Sequence, residues 1–281
     1  MNSKTFLNPM VYKRTLISLA TAAACSSAWA LPVFTFTPPA VGLVGAPMTA
    51  DNLLLSNFST LLYTSPVNFT RQGFLSITGY QLGGSNLVAA GLNSTYSLYI
   101  SFTSTGHLTL GTASTDPRAS VMAGVFDTFT YSLIGANGNS SFGFAGNTPT
   151  VTSTGMQTLA SGSLVNGNIV STPANGGVDF VPSVATTLSF NVAPGKSAFF
   201  SPIDFYNIAF SAITNSASTV EAINAGAGVG SGYRINNGGG NLNFAERSVQ
   251  VPEPGALGMM VAGLGAVGFL ARRRKGAAKA A

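Results

Sequence analysis

Hydrophobic and polar residues alternate along several stretches of the chain between residues 32 and 212. The clearest alternation runs through residues 75–77, 96–103, 125–133 and 206–212. A period of two places successive side chains on opposite faces of a β-strand, so one face is buried and the other is polar. No stretch of this region combines a helical period with capping residues. The pattern predicts an all-β fold, with antiparallel sheets packed as a β-sandwich or a jelly-roll-like body.

Clusters of Gly, Asn and Ser separate the alternating stretches and are typical of turns. They predict turns at residues 83–86, 135–138 and 175–177. A further turn is predicted at Thr105-Gly106, so that residues 107–110 form a returning strand.

The composition changes after residue 212, where Gly and Asn become frequent. We therefore assign residues 31–212 to a secreted all-β domain. Residues 213–250 are predicted to be a flexible Gly/Asn-rich tether, in which a late strand at Asn241–Phe244 is the alternative.

Residues 1–30 predict an N-terminal signal peptide. Lys13 and Arg14 form its positive end and precede a run of apolar and small residues. Ala28 and Ala30 give the small-x-small pattern that signal peptidase requires, so we expect export through the Sec translocon and cleavage after Ala30. A transmembrane anchor is disfavoured because the apolar run is too short.

Residues 251–281 contain three features in a fixed order: a Pro-Glu-Pro step, an uncharged apolar run and a basic tail. As a helix, the 17 residues 255–271 would rise about 25 Å, enough for a thin bilayer. The basic tail, 272–281, stays cytoplasmic by the positive-inside rule, so the Pro-Glu-Pro step faces the periplasm. The residues proposed for sorting and processing are Pro252, Glu253, Pro254, Arg272, Arg273 and Arg274.

This segment resembles the PEP-CTERM sorting signal of Gram-negative bacteria. The resemblance implies processing by an exosortase, a membrane cysteine protease-transpeptidase, with cleavage near Pro252–Pro254. The inner membrane would then hold the chain only transiently. The alternative is a permanent single-pass anchor, which the frequent glycines of the apolar run weaken because glycine lowers helix propensity.

The charge of +5 is concentrated at the two ends of the chain. Between Leu31 and Val251 there are five basic and seven acidic residues, a net charge of −2. A nucleic-acid partner is excluded, because binding phosphates requires a basic surface. The single cysteine, Cys25, lies in the predicted signal peptide, so the mature chain has no thiol. A lipoprotein signal at Cys25 is the alternative, but the usual Leu three positions earlier is missing.

The sequence predicts no catalytic, cofactor-binding or metal site, and we expect no enzyme activity. His107 is the only histidine, so a two-histidine metal site is excluded and a Ser-His-Asp triad could be built only around His107. Asp127 and Asp204 are the acids that a fold could bring together for glycoside hydrolysis. Asp179 is a candidate calcium ligand, although the Asp-x-Asp-x-Asp pattern is absent.

Residues 34–36, 49–52, 69–80 and 96–106 resemble the body of flocculation-associated PEP-CTERM proteins. These proteins are exported by floc-forming bacteria and act with exopolysaccharide in cell aggregation. The resemblance implies a surface or extracellular-matrix protein with a role in flocculation or biofilm. The side-chain chemistry agrees, since exposed Tyr, Asn, Ser and Thr would stack on sugars and form hydrogen bonds with them. A carbohydrate- or calcium-binding module is the alternative, and a secreted hydrolase is a third.

Overall fold

The alternating stretches form long antiparallel strands in the computed structural model. The structure describes residues 32–88, 91–113, 120–174, 179–202, 208–214, 217–224 and 228–245, all within the compact unit Met1–Ala245. The second unit, Glu246–Ala281, lies outside the described residues. The strands are β1 (Phe34–Phe36), β2 (Met48–Ala50), β3 (Asn52–Tyr63), β4 (Asn68–Leu82), β5 (Ser85–Leu87), β6 (Tyr96–Leu110), β7 (Met122–Ala145), β8 (Thr148–Ala174), β9 (Asp179–Ser189), β10 (Asn191–Val192), β11 (Phe200–Ser201), β12 (Ile208–Thr214), β13 (Val220–Ile223) and β14 (Gly232–Ala245).

Eight of these strands pair side by side into a closed ring. The order is β3, β4, β6, β7, β8, β9, β12 and β14, and β14 pairs with β3 to complete it. All pairings in the ring are antiparallel. Closure leaves these strands without the free edge that an open sheet exposes.

The predicted all-β, antiparallel class is confirmed, but the connectivity differs from that of a jelly roll. Each strand of the ring pairs with the ring strands that precede and follow it in the chain, and only β14–β3 joins distant segments. A jelly roll instead requires the crossing connections of Greek keys. This up-and-down order agrees with the tendency of consecutive strands to lie side by side.

The segment predicted to be a tether supplies β13, β14 and the last two residues of β12. β14 pairs with β3 from Gly232–Leu62 to Leu242–Leu53, and with β12 on its other side. β13 adds to the start of β14. The boundary predicted at residue 212 is therefore wrong, because the ordered body continues to Ala245. The alternative of a late strand at Asn241–Phe244 is confirmed within a longer one.

Two of the predicted turns are also not turns. β6 runs without reversal through Thr105-Gly106, where only a bulge shifts its register with β7. Residues 135–138 lie inside β7, where the register with β8 shifts repeatedly. The turn at 83–86 is confirmed by the tight connection between β4 and β5. The turn predicted at 175–177 lies outside the described residues.

One end of the ring is filled by an aromatic cluster. The short sheet β11–β1–β2 brings Phe34 and Phe36 against rings from the ring strands and from the turn before β11. Phe36 stacks on Phe199 with centroids 4.9 Å apart, and Phe34 meets Phe244 edge-on at 5.0 Å. Each such pair stabilises the fold by about 0.5–1.5 kcal/mol beyond the contribution of the apolar area that it buries.

The β7–β8 hairpin continues past the ring as an arm, defined here as residues 138–155. Its two strands remain paired from Ser141–Thr152 to Ala145–Thr148. The arm packs on the outer face of the sheet, where Phe142 lies between Phe58, Phe74 and Tyr99 at centroid distances of 5.3, 6.0 and 5.4 Å. The arm therefore covers part of the outer surface of β3, β4 and β6.

Candidate functional site

The outer face of the ring is divided by the tip of the arm. At the tip, Thr60 donates a 2.6 Å hydrogen bond to the carbonyl of Asn147, and Arg234 donates one of 3.1 Å to the carbonyl of Gly146. Arg234 also lies 5.4 Å above the Phe144 ring. These contacts hold the tip across β3 and β14, so the outer face beyond Thr60 stays open.

The open part of this face contains a groove with a volume of about 270 Å³. This is close to the lower end of the range for ligand pockets, about 300 Å³. The buried residues Arg71 and Ser104 also border it. The other lining residues come from β3, β4, β6 and β7, and we call them the threonine groove: Thr60, Leu62, Thr70, Gln72, Thr103, Thr105 and Thr128.

The threonine groove is neutral, and its hydroxyls are ordered by cross-strand pairing. The Oγ1 atoms of Thr105 and Thr128 are 2.7 Å apart, and those of Thr103 and Thr130 are 3.0 Å apart. Each hydroxyl can both donate and accept, so paired threonines keep capacity for a further partner. Threonine also presents a methyl group beside its hydroxyl, which suits ligands that alternate C–H and O–H surfaces.

The groove residues were not singled out by the sequence, although a signal for them exists. Thr103 and Thr105 occupy the positions that alternate with the buried Phe102 and Ser104. Polar residues at alternate positions mark the outer face of a strand. What the sequence does not provide is the register that brings these threonines beside Thr70 and Gln72 of β4.

The expectation that exposed tyrosines stack on sugars is wrong for the tyrosines that the structure describes. All six are buried, at 5% exposure or less: Tyr63, Tyr80, Tyr96, Tyr99, Tyr131 and Tyr233. Tyr131 donates a 2.9 Å hydrogen bond to the carbonyl of Ser189, and burial raises the pKa of its hydroxyl. These side chains serve the core, because a phenol ring buries a large area while its hydroxyl finds a partner.

His107 lies on the outer face and pairs with Asp127 across β6 and β7. The distance from Nδ1 to Oδ1 is 2.8 Å, and the two side chains are 42% and 49% exposed. Solvent screens a pair this exposed, so it contributes little to stability. Asp204, the other acid considered for hydrolysis, lies outside the described residues.

No group of three or more metal-ligating His, Cys, Asp or Glu side chains occurs among the residues described. The side chain of Asp179, the candidate calcium ligand, is not among them.

The predicted sorting residues, Pro252 to Pro254 and Arg272 to Arg274, also lie outside the described residues, as do the predicted signal peptide and its cleavage site at Ala28 and Ala30. Within the described part of the chain, no helix combines the length and apolar character needed to cross a membrane.

Comparison with known proteins identifies one segment of the chain. Residues 250–275 match the PEP-CTERM protein-sorting motif. No curated protein and no solved structure matches the chain significantly. The motif covers the Pro-Glu-Pro step, the apolar run and the basic residues up to Lys275. The chain therefore carries the sorting motif of PEP-CTERM proteins, which implies an exported protein that is sorted at the membrane of a Gram-negative bacterium with an exosortase as its processing partner.

Proposed function

We propose that this protein is a non-enzymatic component of the cell surface or extracellular matrix that acts with exopolysaccharide in cell aggregation, as in flocs or biofilms. The observation that carries the proposal is the threonine groove on the outer face of the ring. The sorting motif supports it, because exosortase processing implies that the body reaches the outside of the inner membrane.

The chemistry of the groove favours a neutral glycan over a charged ligand. Among the described lining residues, Arg71 alone is charged, and its side chain is buried at 2% exposure. The exposed groups are hydroxyls, methyls and the amide of Gln72. Sugar hydroxyls can exchange hydrogen bonds with such groups, while the sugar C–H faces contact the threonine methyls.

The low charge of the body favours close approach between molecules and surfaces. Residues 31–251 carry a net charge of −2, and weak self-repulsion promotes association. In the proposed role, the ring is a rigid carrier and the groove is its contact with the polymer.

The test compares two full-length variants expressed in the producing bacterium after deletion of the native gene. Thr70→Lys places a long charged side chain in the groove, and Thr152→Lys places the same side chain on the exposed surface of the arm. We expect deletion to disperse the aggregates, Thr152→Lys to restore them, and Thr70→Lys to leave them dispersed. Co-sedimentation of each purified variant with exopolysaccharide from the same cells should follow the same order.

Circular dichroism of both variants controls for folding. Two results would contradict the proposal: unchanged aggregation after deletion, which rejects the aggregation role, or full restoration by Thr70→Lys, which rejects the groove as the contact surface.

A further inference from the structure

A carboxylate and an imidazole stand at one end of the threonine groove. Thr105 and Thr128 line the groove, His107 follows Thr105 by two residues on β6, and Asp127 directly precedes Thr128 on β7. Alternate residues of a strand lie on the same face, about 7 Å apart. Thr105 and His107 therefore share the outer face of the ring, and the pair of His107 and Asp127 extends the row of groove side chains.

A β-bulge turns Asp127 toward the outer face. Thr105 pairs with Thr128, whereas the next residue of β6, Gly106, pairs with Phe126. Asp127 is the extra residue of this bulge, so Asp127 and Thr128 are consecutive exposed residues on a strand that alternates before them. Bulges occur preferentially beside functional sites, where they re-aim a side chain. Here the bulge places one carboxylate next to a groove hydroxyl.

The core side of the bulge is closely packed. A Cβ at Gly106 would lie 2.3 Å from the carbonyl oxygen of Val125 and 2.4 Å from the ring of Phe69. Phe69 in turn meets Phe126 edge-on, with ring centroids 5.8 Å apart. This packing holds the backbone from which Asp127 projects.

The pair presents hydrogen-bond acceptors and a negative charge to solvent. Nδ1 of His107 is 2.8 Å from Oδ1 of Asp127. A carboxylate accepts hydrogen bonds, so Nδ1 donates, and Nε2 of the neutral ring is then an acceptor like the second carboxylate oxygen. Among the residues that the structure describes, no lysine or arginine forms an ion pair with Asp127. Because so exposed a pair adds little to stability, the fold alone does not account for it.

We propose that His107 and Asp127 bind a free amino group carried by an otherwise neutral glycan in the threonine groove. An ammonium group has three donors and a positive charge, which complement the acceptors and the carboxylate of the pair. An acetylated amine has one donor and no charge, so the pair discriminates between the two forms. The neutral units of the glycan contact the threonine hydroxyls and methyls. This inference rests on the proposed function, because it names the class of glycan that the groove selects.

Two oligosaccharides that differ by one acetyl group provide the test. Isothermal titration calorimetry at pH 7 and 0.15 M salt compares an N-acetylglucosamine hexamer with the same hexamer deacetylated at one terminal unit. The full-length protein in mild detergent should bind the amine-bearing hexamer about three to five times more tightly, as expected for one solvent-exposed ion pair. Asp127→Asn keeps the size of the side chain and should bind both hexamers equally.

Asp51→Asn is the matched control, because it removes the same charge away from the groove. Asp51 precedes β3 and lies roughly 30 Å along the strand from Thr60, at about 3.3 Å per residue. This variant should keep the preference for the amine, which separates the local carboxylate from the net charge of the protein. Circular dichroism controls for folding of both variants.

Three results would overturn the inference: equal affinity of the native protein for the two hexamers, a preference that persists in Asp127→Asn, or binding of neither hexamer. Thr70→Lys distinguishes this failure from that of the proposed function, since it should weaken both hexamers alike by blocking the groove. Equal native affinities that are both lost in Thr70→Lys would reject the amine preference and support the groove as a glycan site. Unchanged aggregation after deletion of the gene rejects the aggregation role itself.

Discussion

Replacing Phe142 by alanine tests whether the arm is held to the ring by aromatic packing. Phe142 is half-buried and contacts three rings, with centroids 5.3 to 6.0 Å away. A fully buried Phe→Ala change costs about 3–5 kcal/mol, and each aromatic pair contributes about 0.5–1.5 kcal/mol beyond its area. Because one side of Phe142 remains in solvent, we expect the free energy that holds the arm in place to fall by about 2–3 kcal/mol.

The loss should appear locally before it appears globally. Beyond Asn137 the two strands of the arm form ladder pairs only with each other, and single hydrogen bonds at Gly138, Ser140, Gly146 and Asn147 join the arm to the ring. The arm can therefore leave the outer face while the eight-stranded ring stays closed. Hydrogen exchange measured by mass spectrometry should therefore show faster exchange in residues 138–155 and unchanged exchange in β9 and β12. Such a partial opening is expected when one cooperative unit has lower stability than the whole.

Phe144→Ala is the matched control for this substitution. Phe144 is on the same strand of the arm and contacts the guanidinium of Arg234. An exposed cation–π contact is worth about 0.5–1 kcal/mol, so the control should change exchange in the arm much less. Equal exchange in the two variants would refute the reasoning, because it would mean that the three rings around Phe142 do not determine docking.

Three further predictions concern the backbone, the core and the sorting segment. Gly232→Ala should lower the free energy of unfolding measured in urea by about 1–3 kcal/mol, because a Cβ at this position overlaps the carbonyl of Leu61. Gly143→Ala is the control and should change stability little, because a Cβ has room there. Burial raises the pKa of Tyr63 to about 12, whereas a tyrosine of the unfolded chain ionises near pH 10. The free energy of unfolding should therefore fall between about pH 10 and pH 12, and the fall should be shallower in Tyr63→Phe. A free energy of unfolding that does not depend on pH in this window would contradict the prediction. Glu253→Gln should leave unprocessed chain in the membrane fraction, and terminal sequencing that finds normal cleavage would show that the carboxylate is not needed.

The sequence predicted the class of the fold because period-two alternation is a local property. In β6, Leu98, Ile100 and Phe102 are buried and Thr103 is exposed, as alternation requires. Closure of the ring could not be predicted in this way, because it depends on β14 pairing with β3, which begins 180 residues earlier in the chain.

The glycines of β14 explain why the sequence favours a tether where the structure has a strand. Gly is depleted in strands, and a run of it is typical of a flexible linker. Here Gly232 lies so close to β3 that no side chain fits between them, and Gly239 and Gly240 pair with Ser56 and Leu55. Close backbone approach thus overrides the low propensity of glycine.

The location of the candidate site depends on the arm, which local patterns cannot reveal. Tyr99 has the same strand parity as Thr103 and would face solvent on the outer surface, yet it is fully buried because Phe142 and Met156 of the β7–β8 hairpin cover it. Thr103, four residues further along β6, lies beyond the arm and is exposed. Two positions on one face of one strand therefore differ in exposure because of a hairpin that follows this strand in the chain. The arm extends to Thr60, and the outer face beyond it presents threonine hydroxyls and methyls together with Leu62 and the amide of Gln72 rather than aromatic rings.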